Sequence, residues 1–248
     1  MITSLKYKVP EVRRPAIPVM GRAPAGAVPA LLEGLGDPND QPAIIDALGR
    51  IGGGAEAAVP RLVELLPKAS PGVQVKIYGA FAQIGAGAKA ALPSITQASK
   101  SSNADVRSAA IGAFARVEQD EGTRLPVLIA ALGDADAKVR QSAAEAIERM
   151  GERAQDAVPA LIAMLKNDGD REIALDALRE VRVRSVPQLL EMLAIDQPEV
   201  RLFACERLGR MGREAREAEP ALRALGGSDT DYVRREARRA LGRITGRR

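Results

Sequence analysis

Seven prolines, Pro29, Pro60, Pro93, Pro126, Pro159, Pro187 and Pro220, recur along the 248-residue chain at spacings of 31, 33, 33, 33, 28 and 33 residues. Six of them follow Val or Leu, and a glycine lies eight residues before five, at Gly21, Gly52, Gly85, Gly151 and Gly212. Proline fits the first turn of a helix, where its missing N–H has no intrahelical acceptor, and glycine fits the left-handed residue that closes one. The period therefore predicts helical units that start near each proline, the preceding unit closing at the glycine.

Each unit reads as a hairpin. In the stretch Leu125 to Gly151, Leu125, Leu128, Ile129 and Leu132 share one helical face, and Val139, Ala143, Ala146, Ile147 and Met150 share another. Gly133, Asp134, Ala135 and Asp136 separate them as a turn. Val28, Leu31, Leu32 and Leu35 repeat the first stripe, as do Val158, Leu161, Ile162 and Leu165, and Val186, Leu189, Leu190 and Leu193. First helices of about 10 residues are marginal alone in water, so the hairpins must stack. The expected fold is all-α, a right-handed α-solenoid superhelix of about seven hairpins over residues 25–248, with residues 1–24 a degenerate cap interrupted by Pro15 and Pro18.

Composition suits thin, closely packed helices: 46% of residues are apolar but 2% aromatic, with no Trp. The lone Cys205 cannot pair internally and points to a reducing, cytoplasmic setting. No apolar run approaches the ~18–20 residues of a membrane span, and the N-terminus has no secretory apolar core. Zero His removes His-based triads and metal ligands, and no phosphate-binding loop occurs, so no catalytic residue, metal or cofactor is assigned.

The second helices carry Asp105-Val106-Arg107, Lys138-Val139-Arg140, Glu199-Val200-Arg201 and Tyr232-Val233-Arg234, with Asp134, Asp196 and Asp229 four or five residues before the Val in three units. LGDADAKVRQSAAEAIERMG and AIDQPEVRLFACERLGRMG resemble the second half of HEAT repeats, in the short bacterial form also seen in phycobilisome-lyase-like repeats, and the resemblance covers residues 26–246. The tetratricopeptide pattern is absent, and the ankyrin turn needs a His. The resemblance implies a ladder between neighbouring repeats made by Asp134, Arg140, Asp196, Arg201, Asp229 and Arg234. It also implies a protein-binding scaffold with its ligand on a concave face lined by second helices. DNA glycosylases and phycobilin lyases built on related scaffolds are the enzymatic alternatives; the missing Trp argues against the former.

Taking Gln141, Glu145 and Glu148 as inward positions of unit four, the equivalent positions are Val75, Gly79 and Ala82; Ser108, Gly112 and Ala115; Glu172, Asp176 and Arg179; Leu202, Glu206 and Gly209; and Arg235, Arg239 and Gly242. The face should pass from small and neutral through acidic to basic. Small residues there have two readings, the floor of a groove for a peptide or helix, or packing between helices. The C-terminal helix, with Arg234, Arg235, Arg238, Arg239 and Arg243 against Glu236, is a candidate for nucleic acid or an acidic partner, or a solvated cap. Two units depart from the pattern. Unit three replaces its Leu stripe with Ile95-Thr96-Gln97-Ala98-Ser99, which predicts a weakly buried helix, and unit five is five residues short near residues 167–187, which should alter the path of the stack. A monomer is expected.

Overall fold

The computed structural model describes residues 25–228 and 230–246, and among them the chain is all-α, a repeat solenoid of seven helical hairpins in the expected order. The hairpins are α1 (Val28–Gly34) with α2 (Gln41–Ile51), α3 (Val59–Leu65) with α4 (Pro71–Ile84), and α5 (Leu92–Ala98) with α6 (Ala104–Val117). They continue with α7 (Glu121–Ala131) and α8 (Ala137–Met150), α9 (Val158–Met164) and α10 (Arg171–Val181), α11 (Val186–Leu193) and α12 (Pro198–Met211), and α13 (Glu219–Ser228) with α14 (Asp231–Thr245). Two compact units divide the chain between Ala146 and Ile147, inside α8. The predicted cap at 1–24, with Gly21, and Asp229 of the expected ladder lie outside the described residues.

Four of the first helices are seven residues long, two turns that could not persist alone in water. What holds them is burial of the stripe: Leu31, Leu62, Ile95, Leu128, Leu161, Leu189 and Leu222 hold one register and are all inaccessible. The Val of the second-helix motif is equally buried at Val106, Val139, Val200 and Val233. In hairpins one and five the same register holds Asp40 and Asp170, two of the three buried charged residues among those described, and each follows a shortened turn.

Two local expectations change. Gly52, Gly85 and Gly212 have φ near +65° but ψ between −128° and −137°, the mirror image of extended backbone, rather than a left-handed helical cap. From each of these glycines the chain runs on through seven residues of short 3-10 turns, kinked at Ala55, Ala88 and Ala215, into the next proline-started helix. Pro126 is one of two exceptions, with Pro187, in which no glycine precedes the proline at the usual distance; here Glu118 is extended, and Asp120 caps a new helix early by accepting from Thr123 N at 2.8 Å. Pro126 therefore sits inside α7, leaving the Gly122 carbonyl without an intrahelical donor.

The arginines of the ladder implied by the resemblance also serve their own turns. Arg107 bridges hairpins three and four, donating to Asp134 through Nε at 2.9 Å and Nη2 at 2.7 Å. Arg140, however, reaches back to the carbonyls of Asp134 and Ala135 in its own turn, and Arg201 to the Ile195 carbonyl and the Asp196 carboxylate. Arg234 pairs with Asp231 on its own helix. Gln41, Arg107 and Arg171 likewise donate to the carbonyl six residues back, at Leu35, Ser101 and Leu165. The shared duty of this register is to satisfy carbonyls left open where the first helix ends.

Unit five is short because its turn and its exit are both trimmed. After α10 the chain turns at Arg182 in the left-handed region (φ 57°, ψ 64°), a conformation that costs a non-glycine residue about 1 kcal/mol, and α11 begins at Val186 with no 3-10 segment between. Arg207 of α12 donates to the exposed-end carbonyl of Val183 at 3.0 Å. Its register is a buried alanine in the other six hairpins, at Ala47, Ala80, Ala113, Ala146, Ala177 and Ala240. The longer side chain matches the shorter link.

Candidate functional site

In the N-terminal unit the predicted inward residues fall on two neighbouring helices, α4 and α6. Val75, Gly79 and Ala82, and Ser108, Gly112 and Ala115, are all half-buried. A Cβ added to Gly79 or Gly112 would meet no atom within 4 Å, so both glycines face open space. Polar groups border the row: Lys76 pairs with Asp46 of α2 at 2.7 Å, Ser108 Oγ lies 2.8 Å from Ser142 Oγ, and Gln141 donates to Glu145 at 2.9 Å. Lys138 pairs with Asp105, and that hydrogen bond raises the lysine pKa. The result is a strip with a flat, uncharged floor and ion-paired edges.

Gly49 and Gly209 hold the register of Ala82 and Ala115 yet behave differently. A Cβ on Gly49 would come within 3.2 Å of the Ala80 Cα, and one on Gly209 within 3.2 Å of the Ala240 Cα. Gly209, expected to face inward, is a buried packing residue. The sequence separates the two kinds by register: Gly49 and Gly209 each follow Leu and precede Arg, three residues before Gly52 and Gly212, whereas Gly79 and Gly112 each precede Ala-Phe-Ala.

In the C-terminal unit the predicted residues are more polar and more self-paired. Glu172 is exposed, and Asp176 is paired with Arg179 on α10. With Asp168, Arg171, Leu175 and Glu199 they line an open depression of about 360 Å³. Leu202 and Glu206 are half-buried on α12. On α14, Arg235, Arg239 and Arg243 are exposed, but the buried Glu236 carboxylate lies 3.3 Å from Arg239 and 3.9 Å from Arg243. The Arg243 guanidinium also lies over Gly209. Val233, Ala237, Ala240 and Ile244 are buried beneath, whereas Leu241 is only partly covered.

Cys205 is fully buried at the register of Ala144. Among the described residues no group of three or more His, Cys, Asp or Glu could hold a metal ion, and no helix is long and apolar enough to cross a membrane. One residue the sequence did not single out is Arg207, whose pKa is lowered first by burial and then by Arg210, Arg182 and Arg184. Glu152 answers this charge by pairing with both Arg182 and Arg184. The available signal was a single arginine in a column of alanines.

Comparison with known proteins agrees with the architecture. The family profile described as HEAT repeats matches residues 91–182 and 170–242. No curated protein matches the chain. Among solved structures, an engineered protein from the Northeast Structural Genomics Consortium superposes with a TM-score of 0.60 at 22% identity, covering 98% of this chain and 77% of its own. A second engineered protein from the same consortium gives a TM-score of 0.41 at 19% identity, covering 99% of this chain and 95% of its own.

Proposed function

Because the chain belongs to the HEAT-repeat family, we propose that it is a non-enzymatic scaffold that holds a peptide or helix of a partner protein along the face formed by α4 and α6. The observation that carries this reading is the pair Gly79 and Gly112. Glycine inside a helix costs roughly 0.5–1 kcal/mol relative to alanine, and neither position needs the space for an internal neighbour. A floor without Cβ atoms lets a second backbone approach closely, and the half-buried Val75, Ala82 and Ala115 offer it apolar contact. Ser108 and the paired Asp46, Lys76, Gln141 and Glu145 supply a polar rim.

The single buried thiol suits a reducing compartment, and the short repeat form suits a bacterial one, so the reading places the protein in a bacterial cytoplasm as a monomer. Nucleic-acid binding through α14 is the less favoured reading, because Glu236 already engages Arg239 and Arg243.

A displayed library of helical peptides selected on the wild type tests the proposal, with the Gly79→Arg, Gly112→Arg double variant as counter-target. Selected peptides should lose at least tenfold in affinity for the variant while its melting temperature stays within a few degrees of wild type. Peptides that bind both equally would remove this face from consideration.

A further inference from the structure

We propose that the N-terminal unit holds a second, separate binding site, a cavity between hairpins two and three that takes a small organic carboxylate with an apolar body. The cavity is open to solvent and measures about 600 Å³, inside the range of small-molecule pockets, and none of its lining residues belongs to the inward row of α4 and α6. Its apolar part is made by Val63, Leu66, Pro67, Ala98 and Val106.

It exists because α5 is built from small residues. The register of Ala98 holds Leu65 in α3, Met164 in α9 and Met192 in α11 but is equally small at Gly34 and Ala131; what sets α5 apart is Ser99, which stands where Leu35, Leu66, Leu132, Leu165 and Leu193 complete the stripes of hairpins one, two, four, five and six. Only Ile95 and Ala98 of α5 are buried, so the missing side chains leave a space open beside it.

The polar groups around this space define the ligand. Tyr78 lines it, is 4% exposed, and holds a register occupied by Ile45 and Ile111 in the flanking hairpins. Its ring packs edge-on against Phe81 at 6.2 Å, yet among the described residues its hydroxyl has no hydrogen-bond partner. The hydroxyl oxygen is not sealed inside the core, so it can donate to a ligand in the open space beside it. Burial raises the Tyr78 pKa, so the group remains a protonated donor at neutral pH. The one charged lining residue is Lys100, whose ammonium has no ion-pair partner among the described residues. Ser94 and Gln97 complete the mouth, while Gln74 is occupied with the carbonyls of Leu66 and Ala69. An apolar wall, one neutral hydroxyl donor and one cation without an ion-pair partner among the described residues fit a carboxylate oxygen at the mouth with a hydrocarbon body inside.

Calorimetric titration with 2-naphthylacetate and its neutral amide, 2-naphthylacetamide, tests this on the full chain. The carboxylate should bind wild type at least tenfold more tightly than the amide. Lys100→Gln should erase that difference, Tyr78→Phe should weaken the carboxylate several-fold at an unchanged melting temperature, and Ala98→Leu, which fills the cavity, should abolish binding. No binding of the carboxylate at millimolar concentration overturns the proposal, and so does binding that survives either Ala98→Leu or Lys100→Gln. Lys100 is exposed, so its substitution leaves the fold intact and the test decisive.

Discussion

The Cα of Ala80 stands so close to Gly49 that a Cβ on the glycine would come to 3.2 Å from it, whereas a Cβ on Gly79, one residue along the same helix from Ala80, would touch nothing. Neighbouring helices thus approach through one column of small residues and leave another open. Gly79→Ala and Gly112→Ala should each raise stability by about 0.5–1 kcal/mol through helix propensity. Gly49→Ala and Gly209→Ala should lower it, because the Ala80 and Ala240 backbones must shift. Urea denaturation of the four single variants decides; a loss at Gly79 and Gly112 would make them packing residues and end their role as a groove floor.

Arg107 and Asp134 give a pH prediction. The side-chain hydrogen bond from Arg107 holds the Asp134 carboxyl below its usual range, outweighing the opposing effect of burial. A depressed folded pKa means that the stabilisation is complete above the unfolded value of about 4 and disappears as pH falls through the folded pKa. Asp134→Asn should therefore be less stable at pH 7 and lose less stability than wild type between about pH 4 and pH 2. Parallel acid limbs for the two proteins would show that the pair contributes nothing to folding.

How much of this was legible in the sequence depends on whether the cause was periodic. The seven hairpins, the buried Val106, Val139, Val200 and Val233 of the second helices and the buried Cys205 followed from spacing, because a stripe repeated at fixed register is burial written into the chain. The role of Arg140 and Arg201 was not legible. The Asp–Arg pattern does not reveal that the arginine also caps carbonyls of its own turn, as Arg107, Arg140 and Arg201 do. Pro126 shared the period but not the local cap, since Asp120 starts α7 early. The cavity at Tyr78 was visible only as a weak first helix around Thr96 and Ser99. That the weakness opens a space rather than collapsing depends on packing, which no spacing encodes.

Arg201 donates to the Ile195 carbonyl at 2.9 Å and to Asp196, closing the turn of hairpin six. Arg201→Met keeps most of the apolar stem but removes both donors, and should cost about 1–3 kcal/mol, the range for hydrogen bonds made by a charged group. Arg201→Lys should recover little of it, because a single ammonium cannot reproduce the planar fork. Equal stability of the Lys variant and wild type, read from thermal melts, would contradict the capping role.

Leu128 and Ile147 are inaccessible and stand on the first and second helix stripes. Leu128→Ala and Ile147→Ala should each cost about 2–5 kcal/mol, from lost transfer energy plus the cavity left behind. Losses below about 1 kcal/mol at both sites would mean the register of the repeat has been misassigned.

The arginines of α14 separate a cap from a ligand site. The Glu236 carboxylate, 9% exposed, lies near both Arg239 and Arg243, and Arg243 lies across Gly209 of α12, so two of the three exposed guanidinium groups already have an acidic neighbour on the same helix. Changing Arg235, Arg239 and Arg243 together to Gln removes those partners and leaves Glu236 buried beside neutral amides. An uncompensated buried carboxylate is destabilising, so the melting temperature should fall by several degrees, and Glu236→Gln in the same background should restore part of it. Affinity for a duplex DNA or RNA probe should be weak in the wild type and unchanged in the triple variant at low and at physiological salt. A wild-type affinity that falls steeply with salt and disappears in the triple variant would instead assign these arginines to phosphate contacts.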